Sequence, residues 1–151
     1  MEEKERLTIR DAENAGKGIM ALVMAYPDYP KGFKADNQTV KWNSINEGRS
    51  IGIIPLQGAV YIEKYINGSY TAQMPFQLVY RSSPTTNKSS MDAQQMLNDL
   101  AAWMEESSME FRDPHMKLEA ITRTSPVFGG GQDEKITDYA VNMQLKYSYL
   151  K

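Results

Sequence analysis

The stretch "GKGIMA", Gly16 to Ala21, has the Gly-x-Gly-x-x-Ala spacing of a dinucleotide-binding turn. In that chemistry the glycines bring a pyrophosphate against the free N–H groups of a helix N-terminus, immediately after a strand. Here the preceding residues are "RDAENA", charged and helix-favouring, so the glycines fall inside a helix and no N-terminus meets a phosphate. Gly16-Lys17 also lacks the upstream glycine of a phosphate-binding loop. His115 is the sole histidine and follows Asp113-Pro114. A triad or a histidine metal site needs partners that the sequence does not supply, so His115 reads as a solvated turn residue. The carboxylate pairs Glu105-Glu106 and Asp133-Glu134 sit at the polar end of an amphipathic stretch and beside a glycine run. Acid–base work requires partial burial and split pKa values, and neither setting offers them. With no cysteine, disulfides, thiolate zinc sites and cysteine nucleophiles are excluded. The expectation is a protein that is not an enzyme, with no catalytic residue, no metal and no cofactor.

A chain of 151 residues fits one domain, 1–151, with residues 1–7 expected to be loosely ordered. Hydrophobic residues at 41% and charged residues at 24% suit a globular, non-membrane protein. The longest apolar run, Ile19 to Tyr26, is far short of the roughly 20 residues that span a bilayer. "MEEKER" is too charged for a secretory signal, so a cytoplasmic product is expected. A net charge of −2, without basic clusters, gives no general attraction for nucleic acid or anionic lipid. Asn-x-Ser/Thr triplets at Asn37, Asn67 and Asn87 read as turn chemistry.

The elements that would position any surface follow from periodicity. Ile9, Ala12, Gly16, Ile19, Val23 and Tyr26 trace one helical face, ended by Pro27 and Pro30 and expected to bend, or to start late, because of Gly16 and Gly18. "YPDYPKGFKADNQ" reads as a loop. "QTVKWNSI" suits a strand with Val40 and Trp42 on one face, and "SIGIIPLQ" an edge strand or strand end at Pro55. Ala59–Ile66 and Tyr70–Arg81 form a hairpin around Asn67-Gly68. A two-residue type I′ loop would set Tyr61 and Tyr65 across from Met74 and Tyr70, while a three-residue loop would put Val60 and Ile62 there; the first is favoured. "SSPTTNKSS" reads as a polar connector, with Ser89 and Asp92 as a capping box for a helix whose stripe is Met96, Leu97, Leu100, Trp103 and Met104. Met91 joins that apolar face, and Met74, Phe76 and Leu78 should bury against Leu97, Leu100 and Trp103. "KLEAITRTS" is a strand, "PVFGGGQDEK" a mobile loop, and Tyr139, Val141, Met143, Leu145, Tyr147 and Tyr149 line one side of a last strand. The fold class is α+β, a mainly antiparallel sheet with helices packed on one face.

The triple glycine is the most unusual local feature. Glycine has the largest backbone entropy to lose, so three in a row hold no shape alone. Beside Val127 and Phe128 they read as a segment that orders against a partner. The candidate interface is therefore Val127, Phe128, Gly129, Gly130, Gly131 and Asp133.

Laid end to end, "SIGIIPL", "VYIEKYINGSYTAQMPFQLVYR", "DAQQMLNDLAAWME" and "ITRTSPVFGGGQDEKITDYAVNMQLKY" resemble tail-terminator proteins of long-tailed phages and prophages of Gram-positive bacteria, often labelled tail-completion or minor capsid proteins. The shared pattern is a hairpin leading into "Pro-Phe-x-Leu-x-Tyr-Arg", a "Leu-x-x-Leu-x-x-Trp" helix matched by Leu97, Leu100 and Trp103, and an "Asp-Tyr" entry, Asp138-Tyr139, into an aromatic last strand. The likeness covers about Trp42 to Tyr149. It implies a ring, a hexamer, that caps the tail tube, ends tube polymerisation and joins tail to head. The implied partners are further copies of the chain, the tail-tube protein and a head-completion protein, with no sequence-specific nucleic acid and no membrane. The implied location is the virion tail, and the host bacterial cytoplasm during assembly. The alternatives are another head–tail connector or tube component, or a small-molecule-binding α+β domain.

Overall fold

The computed structural model describes residues 5–27, 41–42, 50–82, 87–133 and 136–151. Pro30, Asn37, Val40, Glu134 and most of "YPDYPKGFKADNQ" lie outside the described residues. The architecture is α+β, as the periodicities require. Among the described residues two helices, α1 (Ile9–Met24) and α2 (Asn87–Glu106), accompany strands β1 (Lys41–Trp42), β2 (Ser50–Pro55), β3 (Val60–Lys64), β4 (Tyr70–Ser82), β5 (Met116–Arg123), β6 (Phe128–Asp133) and β7 (Ile136–Tyr149). The sheet runs β1-β2-β4-β7-β5, with β3 added to β4 and β6 added to β7. The β1–β2 pairing is parallel and the other described pairings are antiparallel.

The long strands β4 and β7 are the spine, paired without interruption from Tyr70↔Tyr149 to Ser82↔Thr137. Their alternation decides the layers. Ala72, Met74, Phe76, Leu78 and Tyr80 of β4 are buried, and so are Tyr139, Val141, Met143, Leu145 and Tyr147 of β7. Leu97, Leu100, Ala101 and Met104 of α2 join them in one cluster, with Ile19, Leu22 and Val23 of α1. The opposite face carries amides: Gln77 Nε2 donates to Asn142 Oδ1 at 3.0 Å, and Gln144 Nε2 to Gln73 Oε1 at 3.3 Å. One face dry and one face polar is the ordinary consequence of a period-2 pattern.

Several expectations change. Helix α1 runs unbroken through Gly16 and Gly18, because both glycines serve close packing. A Cβ on Gly16 would stand 2.8 Å from the Trp42 ring, and one on Gly18 would stand 3.0 Å from Met109. Ile9 is 87% exposed at the first position of the helix and does not join the buried face. Thr8 caps it instead, its hydroxyl accepting from Asp11 N–H at 3.2 Å. Helix α2 already begins at Asn87, so Ser89 is inside the helix and not its N-cap, and the connector is shorter than "SSPTTNKSS". Met91 is 69% exposed, and Trp103 is half-buried against Tyr26 with ring centroids 5.3 Å apart. "FGGGQD" is not a mobile loop. It forms β6, pairing Phe128 with Ala140 and Gly129 with Tyr139 before a register shift beyond Gly130. Ladder hydrogen bonds to β7 supply the order that the glycines lack on their own. Glu5 to Leu7 also join the sheet margin: Leu7 N–H donates to Ala59 O at 3.0 Å and Tyr61 N–H to Glu5 O at 2.9 Å.

The hairpin register differs as well. Lys64 pairs with Tyr70, and Tyr65 N–H donates to Ser69 O at 2.8 Å, leaving Ile66, Asn67 and Gly68 as a three-residue loop. Gly68 N–H donates to Tyr65 O at 3.0 Å, and Asn67 Oδ1 accepts from Ser69 N–H at 3.0 Å. The longer loop would have turned Tyr61 away from the core, but a register shift between Tyr61 and Glu63 restores it, opposite Ala72. Tyr61 is thus buried while Tyr65 is not. Gly68 holds φ at +93°. Gly68→Ala is expected to destabilise the fold by about 1–2 kcal/mol, the cost of a left-handed conformation for a residue with a Cβ. Chemical denaturation checks this, and an unchanged midpoint would contradict it.

Candidate interaction surface

The most elaborate polar constellation lies where α1, the β3–β4 hairpin and the end of β7 meet. Asp11 Oδ2 accepts hydrogen bonds from Tyr61 Oη at 2.7 Å and from Tyr70 Oη at 2.6 Å. Tyr70 stacks on Tyr149 with centroids 5.0 Å apart, and Tyr61 meets Tyr70 edge-on at 4.8 Å. Burial, followed by the hydrogen bond to Asp11, raises the Tyr70 phenol well above its ordinary pKa. Burial, followed by the negative charge of Asp11, does the same to Tyr147. Phenols held this firmly protonated are poor bases and poor nucleophiles at neutral pH. The arrangement pins the start of α1 to the sheet through the acceptor Asp11. A recess of about 480 Å³ opens beside it, lined by Arg10, Asp11, Tyr61, Tyr70, Tyr149 and Lys151 among others.

Of the carboxylates named from sequence, Glu105 is engaged, and so is the histidine. Glu105 pairs with Arg123 Nε, bridging α2 and β5. His115 is exposed in a turn, its Nδ1 2.8 Å from Leu150 O and its ring tilted against Tyr149. Gly16 and Gly18 sit in the middle of α1, away from its N-terminus. Among the described residues no group of three or more His, Cys, Asp or Glu could hold a metal, and no helix is long and apolar enough to cross a membrane.

Two residues from separate parts of the sequence resemblance meet at the far end of the spine. Arg81, closing "Pro-Phe-x-Leu-x-Tyr-Arg", faces Asp138 of "Asp-Tyr" across β4 and β7. The contact is bidentate, Nε to Oδ1 at 2.8 Å and Nη2 to Oδ2 at 3.0 Å. A forked pair of this kind fixes strand register as well as adding attraction.

The candidate interface residues run along one edge of the sheet. Val127 is half-buried against the core, while Phe128 is 41% exposed. Gly129 lies over Tyr139, where an added Cβ would make ordinary contact at 3.6 Å. Gly130, Gly131 and Asp133 continue the β6 backbone, with Asp133 paired to Ile136. Sequence reasoning singled out these residues as a mobile loop rather than a sheet edge, and it missed two features. The Asp11–tyrosine cluster joins residues 50 and 59 positions apart and had no local signal. Ile66, fully exposed at the hairpin tip, was hidden inside a strand assignment.

No protein-family model matches the sequence, and no curated protein is similar to it in sequence. The fold, however, has solved counterparts. A chain in the virion of a native gene transfer agent particle superposes with a TM-score of 0.62 at 7% identity, covering 93% of this chain and 99% of that one. A second solved chain, 15% identical, covers 96% of this chain but reaches a TM-score of only 0.45, too low to bear on the reading. The protein is thus similar in fold, nearly end to end, to a virion component.

Proposed function

We propose that the protein is a structural component of a virion, a tail terminator that forms a ring on the tail tube, ends its polymerisation and joins it to the head. The observation that carries this reading is the fold likeness to the virion chain, which spans almost the whole of both chains. The sequence resemblance narrows the role from virion component to terminator. Its paired motif residues, Arg81 and Asp138, bind each other across the spine and so belong to one structural unit. In this reading the protein turns over no substrate and needs no cofactor. It acts through surfaces: a stiff two-strand spine, a glycine-rich edge at Val127–Asp133, and exposed apolar side chains at the margins.

The test is tube growth in vitro. Tail-tube protein polymerising alone gives long tubes of broad length distribution. Added at substoichiometric amounts, this protein is expected to shorten the tubes and to label one end only, as seen by immunogold electron microscopy. Labelling along the tube would indicate a tube subunit. Binding at one end without arrest of growth would indicate a connector, and absence of binding would remove the terminator reading.

A further inference from the structure

We propose that neighbouring copies join head to tail, with Ile66 at the hairpin tip of one copy seated in the recess between α2 and Val127 of the next. The inference deepens the ring reading above and rests on it.

The knob is unusual on its own terms. Ile66 occupies a central position of the turn from Tyr65 to Gly68, and it is fully exposed. Asn67, Gly68 and Ser69 already provide the turn chemistry, so nothing in the hairpin itself calls for an isoleucine there. Tyr65 and Leu150, each about half exposed, flank it and make a contiguous apolar tip. Of the two cations beside the tip, Lys64 is held by Glu5, and the Lys151 side chain lies over Gly68 at the base of the turn.

The recess has matching chemistry. Met91, Gln94, Gln95, Asn98 and Val127 line an open recess of about 270 Å³. That is several times the ~30 Å³ share of a water molecule and leaves room for a four-carbon side chain. Met91 and Val127 supply apolar walls, and methionine adapts its shape to what it meets. The rim is made of amides, which can pair with the exposed backbone of a turn and leave no charge stranded. Two of them are already fixed: Gln95 Nε2 donates to Asp99 at 2.7 Å, and Asn98 Oδ1 accepts from Arg123 at 2.9 Å. A rim held in place before contact loses little freedom on binding.

Position then dictates symmetry. The tip lies just before Tyr70, whereas Val127 adjoins Phe128, which pairs with Ala140 opposite Val79. Nine residues of strand separate them, about 30 Å. A knob and a recess this far apart let one patch of each copy meet a different patch of the next, and such contacts close into rings when the rotation allows.

The chain has no cysteine, so thiol trapping reads the contact without background. Ile66→Cys and Gln94→Cys placed in one chain should, under mild oxidation, give a ladder of disulfide-linked species ending in a closed ring. Ile66→Cys mixed with Gln94→Cys as separate chains should give only the mixed dimer. Ile66→Ser alone should keep the melting curve and weaken self-association at least about tenfold. Species that stop at a reciprocal dimer, or no cross-linking at high protein concentration, would overturn the pairing. If native mass measurement still shows rings in that case, the terminator reading stands and only this contact is wrong.

Discussion

Replacing Phe76 by alanine is expected to destabilise the protein by about 3–5 kcal/mol, the cost of deleting a ring from a closed core. Phe76 is completely buried in the middle of β4, opposite Met143 of β7, and belongs to the cluster that holds Leu97 and Leu100 of α2. Sheet packs on helix at this layer, so the cavity left by an absent ring cannot be filled by collapse of a loop. The measurement is the chemical-denaturation midpoint with an unchanged slope. Trp103→Ala provides the contrast. Its ring is half-buried against Tyr26, and its loss should cost clearly less than that of Phe76. Equal losses at the two positions would show that the core is centred elsewhere.

Asp11→Ala is expected to cost about 2–4 kcal/mol, because one carboxylate oxygen accepts from two phenols in a partly buried setting. Removal leaves Tyr61 and Tyr70 without their acceptor and frees the start of α1 from the sheet. Tyr70→Phe removes a single donor and should cost about 1–2 kcal/mol. Because the two residues touch, the double variant should be less destabilised than the sum by about 1 kcal/mol. Strict additivity would show that Asp11 does not act through these tyrosines.

The core of this fold was legible because its signals are local and periodic. Alternation in β4 and β7 and the Leu97–Leu100 stripe each mark a face without help from the rest of the chain. What was not legible depended on partners distant in sequence. Gly16 and Gly18 looked like helix breakers, yet Trp42 and Met109 come close enough to favour a residue with no Cβ. Phe128–Asp133 looked structureless because its order comes from β7, not from its own residues. The hairpin showed both kinds of information. Asn67-Gly68 announced a turn, but loop length was set by the Tyr65–Ser69 bond, and the facing of Tyr61 by an irregularity between Tyr61 and Glu63. The candidate interface was proposed from the glycine run and its apolar neighbours, and the exposure of Met91 became visible only once α2 was seen to leave that side chain outside the core.

Whether this chain forms a ring at the head end of a virion tail is decided by electron cryomicroscopy of intact particles that carry it. The expected result is density for this fold as one ring of identical copies, seated between the last ring of the tail tube and the head-completion proteins. Density for the chain repeated along the tube, or particles whose head–tail junction is complete without it, would contradict the terminator role.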